Sequence, residues 1–135
     1  MVYTLKASIG RETYKTVLSA DNHQFVADEP EDMGGADLGP DPFELFLSSL
    51  AACKAMTMRM YADRKKWDLE SVKMELSLEV KDSDQQQTTY INVNLELFGD
   101  LDDQQRQRIL AIADKCPIHK VMQNPIVIHS NLITR

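Results

Sequence analysis

The chain has 135 residues, 43% hydrophobic and 27% charged, with 5 Gly, 5 Pro, 2 Cys and a formal net charge of -6. This composition reads as one globular domain over residues 1–135, able to bury roughly two-thirds of its unfolded surface without metal or disulfide staples. Two cysteines make no secreted-type framework, the acidic balance argues against nucleic acid as a partner, and the start of the chain carries neither a signal peptide nor a membrane span, so a reducing cytoplasm is the expected setting.

Val2 to Val17 is rich in β-branched and aromatic residues with a Gly10-Arg11 break, which predicts two short strands, and a third is expected at Gln24 to Ala27 after a turn containing His23. Glu29 to Asp41 holds Pro30, Gly34, Gly35, Gly39 and Pro40 and reads as a loop. Asp41-Pro42-Phe43-Glu44 then supplies an N-cap, a proline at the first helical position and a carboxylate at capping-box spacing, so a helix starts there and runs to about Lys65. Its uncharged stretch Leu45 to Cys53 predicts a helix buried nearly all round, too interrupted by Lys54 and Arg59 to span a membrane. Arg64-Lys65-Lys66 reads as a solvated helix end.

Val72 to Val80 alternates apolar and polar residues, as does Ile91 to Leu97, which predicts an antiparallel hairpin closed by a longish polar loop at Lys81 to Gln87. A second helix is expected from Asp102, with Gln105 at capping-box spacing and Ile109, Ile112, Ala113 and Cys116 on one stripe. Cys116-Pro117 can cap a further short helix to about Gln123, and Ile126 to Ile133 reads as a last strand carrying His129. Hairpins segregated from helices make an α+β layout.

Each cysteine reads either as a small core hydrophobe or as a nucleophile. Cys53 shares a helical stripe with Phe46, Leu50, Thr57 and Met60, an apolar setting that would raise its pKa unless the fold brings in a cation. Cys116 at a helix start would face unpaired amides, which favour a thiolate. Cys53, Cys116 and His119 could also be metal ligands, but paired-ligand spacings are absent and no metal is expected.

Gly34-Gly35-Ala36-Asp37-Leu38-Gly39-Pro40-Asp41-Pro42-Phe43-Glu44 and the helix to Cys53, then Thr57-Met58-Arg59-Met60-Tyr61-Ala62 and Arg64-Lys65, resemble the central-helix signature of the OsmC/Ohr family. Cys116-Pro117-Ile118-His119-Lys120 resembles its second motif, in the same order and separation. The resemblance implies an OsmC-like fold: antiparallel sheets around a long buried central helix, in an intertwined homodimer with active sites at the interface. It further implies a thiol peroxidase that reduces organic hydroperoxides, with Cys53 peroxidatic, Cys116 resolving, an external dithiol of lipoyl type as reductant and no bound cofactor. An arginine of the N-terminal strands and a glutamate early in the helix complete the family's site, roles that fall to Arg11 and Glu44. The family's glutamate directly follows the helix-starting proline, a place held here by Phe43; at about 100° per residue Glu44 lies roughly opposite Cys53 on a straight helix, and its capping role explains it equally well. The rival readings on the same fold are a non-catalytic small-molecule-binding protein and a thiol redox sensor.

Overall fold

β-branched residues and a two-residue reversal at Asp21-Asn22 build the N-terminal sheet in the computed structural model, which describes residues 1–133. Strands β1 (Lys6–Ile9), β2 (Thr16–Ala20) and β3 (His23–Ala27) pair antiparallel in that order. His23, expected in the turn, opens β3 opposite Ala20, because Asp21 at φ 46° completes the reversal within two residues. The chain forms two compact units, residues 1–48 and residues 49 onward.

In the first unit the glycine- and proline-rich stretch is more ordered than its composition suggests. The buried Asp28 carboxylate accepts the backbone N–H groups of Glu29 (2.8 Å), Ala36 (3.3 Å) and Leu38 (3.2 Å), so one side chain gathers a loop with no ladder of its own. Residues Glu31–Met33 make one 3₁₀ turn inside it. Gly35 and Gly39 are required here, since a Cβ at either would run into the carbonyl of Glu29 or of Val26. Helix α1 (Pro42–Lys65) begins at the end of this loop, and the expected capping box is complete: Glu44 N–H donates to Asp41 at 2.8 Å and Asp41 N–H to Glu44 at 3.0 Å.

The second unit centres on a hairpin of β4 (Asp68–Ser83) and β5 (Gln86–Asp100). The expected longish loop is a turn of Asp84-Gln85 alone: pairing continues through Lys81↔Thr88 to Ser83↔Gln86, polar residues being compatible with strand where both faces meet water. Val72↔Leu97, Met74↔Leu95 and Leu76↔Val93 put apolar pairs on one face. That face packs with Met58 and Ala62 of α1 and with Ile109 and Ala113 of α2 (Asp103–Ala113) around a core that includes Leu69 and Leu101. A full capping box between Asp102 and Gln105 starts α2, as the spacing predicts. The short helix α3 (Pro117–Gln123) follows with Cys116 as its N-cap.

Two expectations are corrected. Within one chain α1 is not buried nearly all round: Leu50, Lys54, Met58, Tyr61 and Ala62 are buried, whereas Phe43, Phe46, Met56 and Met60 are exposed. Second, Ile126 to Ile133 forms no strand, and its apolar residues, with Ile128 at 82% exposure, stay uncovered. β-branched pattern alone holds no strand, because its N–H and C=O groups need a neighbouring ladder that the described residues do not provide. No helix of the described residues is long and apolar enough to cross a membrane.

Asp28→Ala should destabilise the protein by about 2 kcal/mol or more, because it orphans partly buried N–H groups. Denaturant unfolding checks this, and Asp28→Asn, which keeps one acceptor oxygen, is expected to lose less.

Candidate functional site

Cys53 and Cys116 come together in the second unit. Cys53 lies in the middle of α1 and is partly exposed, while Cys116 is fully buried in the turn between α2 and α3. The two thiols are close enough to interact electrostatically. Backbone amides of α3 point at both sulfurs: Ile118 N–H donates to Cys53 Sγ at 3.5 Å and His119 N–H to Cys116 Sγ at 3.3 Å.

The cation beside them comes from the same helix as Cys53. Lys54 is only 3% exposed, and its Nζ donates to Ala113 O (3.1 Å) and Asp114 Oδ1 (3.1 Å) and meets His119 Nδ1 at 2.9 Å. An ammonium carries three hydrogens and no acceptor, so these three partners satisfy it, and they require the His119 proton to be on Nε2. Arg59, the other cation near Cys53 in sequence, is engaged elsewhere: both of its terminal nitrogens donate to Leu69 O, and Nε pairs with Asp63 at 3.2 Å.

Burial pushes the Cys116 thiol above its ordinary value of 9.0. The His119 amide opposes the rise, the Cys53 thiol adds to it, and the Lys54 charge again opposes it. The N-cap position therefore does not make Cys116 the thiolate that its sequence setting suggests, because desolvation outweighs the amide.

Among the other candidates, Arg11 sits exposed in the bend between β1 and β2, and the Glu44 carboxylate is occupied by the Asp41 amide. His129 lies in the irregular exposed segment after α3. The described residues contain no group of three or more His, Cys, Asp or Glu placed to hold a metal ion. The role of Lys54 escaped sequence reasoning, although a signal exists: it stands four residues after Leu50 and four before Met58, on the stripe that is buried.

In the reduced native protein, iodoacetamide at neutral pH should modify Cys53 and spare Cys116, and both should react after unfolding; peptide mass mapping checks this. Because the folded-state pKa of Cys116 is raised, the stability that its neutral thiol contributes is complete below about pH 9 and is lost as pH climbs through the folded value. Cys116→Ala should flatten that alkaline limb of the stability profile.

The family model described as OsmC-like protein matches residues 34–131. A comparison with curated protein sequences gives no match. Solved structures share the fold: an OsmC-like protein from Mycoplasma pneumoniae superposes with a TM-score of 0.77 at 21% identity, covering 91% of this chain and 88% of the other. A Legionella pneumophila protein described as an organic hydroperoxide resistance protein gives 0.67 at 20% identity, with coverages of 91% and 90%. One of the same description from Elizabethkingia anophelis gives 0.68 at 17%, with 91% and 89%. With both motifs inside the matched region and the same α+β architecture, the chain belongs to the OsmC-like protein family.

Proposed function

We propose that this protein is a cysteine-based peroxidase that reduces organic hydroperoxides in a reducing cytoplasm. The observation that carries the reading is the meeting of Cys53 and Cys116, distant in sequence, against consecutive amides of α3, with one thiol partly exposed and the other buried. The descriptions of the Legionella and Elizabethkingia proteins as organic hydroperoxide resistance proteins support the substrate class.

In this scheme the Cys53 thiolate attacks the distal peroxide oxygen, the O–O bond breaks, and the alkoxide leaves and takes a proton from solvent. Cys53 becomes a sulfenic acid. The Cys116 thiol then attacks the Cys53 sulfur, its proton and the sulfenic hydroxyl leave as water, and a disulfide remains. An external dithiol, of lipoyl type, reduces it and is itself oxidised to a disulfide. Arg11 and Glu44 take the family's roles of holding the thiolate and the guanidinium.

The functional unit in this reading is a homodimer. Met56 and Met60 stay exposed on the α1 turns that follow Cys53, an apolar surface that a second copy would cover. Light scattering at micromolar concentration should return about twice the 15.4 kDa chain mass.

Cys53→Ser should abolish consumption of an alkyl hydroperoxide supplied with a dithiol, while Cys116→Ser leaves about one turnover, measured by peroxide loss. Equal activity of wild type and Cys53→Ser overturns the proposal. Glu44→Gln separates the two roles of that residue, since glutamine also closes a capping box. Unchanged melting with a rate loss of tenfold or so, the effect expected of a lost charge near the reacting atoms, places the carboxylate in the chemistry; an unchanged rate leaves it as a cap.

A further inference from the structure

We propose that Lys54 is a positioning residue that holds Cys116 against Cys53, by clamping the chain on both sides of Cys116 to the turn of α1 that carries Cys53. As a pairing of Cys53 with Cys116 this rests on the peroxidase reading, which it extends to a residue outside the thiol pair. Cys116 lies in the connection between α2 and α3, where α2 ends at Ala113 and α3 starts at Pro117. Lys54 Nζ takes two of its partners, Ala113 O and Asp114 Oδ1, before Cys116 and the third, His119 Nδ1, after it. His119 is held at both ends, its ring by Lys54 and its backbone N–H by Cys116 Sγ.

The geometry exceeds what packing alone requires. A lysine on the buried stripe of α1 would be replaced at no loss of core by an apolar side chain of similar length, and a buried ion pair adds little net stability over such a replacement. What the ammonium supplies is direction: three hydrogens aimed at three acceptors on two elements fix the Cys116 connection relative to the next residue along from Cys53. Two thiols bridge only when their Cα atoms lie within a narrow range, so a connection free to drift lowers the effective concentration of one sulfur at the other.

The test is the equilibrium between the protein dithiol and oxidised dithiothreitol, which yields the Cys53–Cys116 disulfide and reduced dithiothreitol, read at pH 7 by alkylation and intact mass. It needs no hydroperoxide. Lys54→Met keeps the side chain's length and removes the three hydrogen bonds, and it should move the equilibrium constant about tenfold or more toward the dithiol. Cys116, whose pKa is raised by burial, is neutral at pH 7, so at that sulfur the lysine charge has no thiolate to act on. Asp114→Asn, on an exposed side chain, weakens one arm of the clamp and should shift the constant in the same direction by less, and it decides the matter if Lys54→Met does not fold. An unchanged constant in the folded variants, or a shift toward the disulfide, overturns the proposal. Failure of the peroxidase reading shows differently, as a wild-type protein that forms the disulfide with dithiothreitol and consumes no alkyl hydroperoxide.

Discussion

A lysine ammonium with almost no access to water sets the architecture of the second unit. Lys54 projects from the face of α1 that also buries Met58 and Ala62, and an unpartnered charge there would be too costly to keep. The end of α2 and the first turn of α3 supply the three partners, one of them the carbonyl of Ala113, which as one of the last in α2 has no helical partner. One constraint therefore satisfies a charge, occupies a helix end and brings the Cys116 connection onto the helix that carries Cys53.

The two thiols occupy different environments as a result. Cys116 is enclosed, and desolvation holds it in the neutral form against the pull of the His119 amide and the Lys54 charge. Cys53 is open to solvent on one side and lies next to exposed methionines. The pair is thus divided by access to solvent.

Guanidinium groups do the joining elsewhere in the unit. Arg59 ties α1 to the carbonyl of Leu69 at the start of β4. Arg106 of α2 donates to the carbonyls of Leu97, Gly99 and Leu101, where β5 gives way to the helix. Arg108 donates to the Tyr61 hydroxyl, and the Tyr61 ring meets Trp67 edge-on at 5.6 Å. Fork-shaped donors recur at strand–helix junctions because the carbonyls there lie outside both regular ladders.

Local chemistry made much of the molecule legible in the sequence. Both capping boxes, the proline at the start of α1, the alternation of β4 and β5 and the Cys116-Pro117 helix start depend on residues within four positions of each other, and they form as their spacing predicts. The family signature was readable for the same reason, as two contiguous motifs. The tertiary structure decided the rest. The Asp28 carboxylate organises a loop that composition marks as irregular, because its donors lie up to ten residues away. The Ile126 to Ile133 pattern forms no strand, since a strand is a property of a pair. The state of Cys116 and the partners of Lys54 were out of reach because desolvation and ion pairing depend on which distant elements close over a group, which spacing along the chain does not encode.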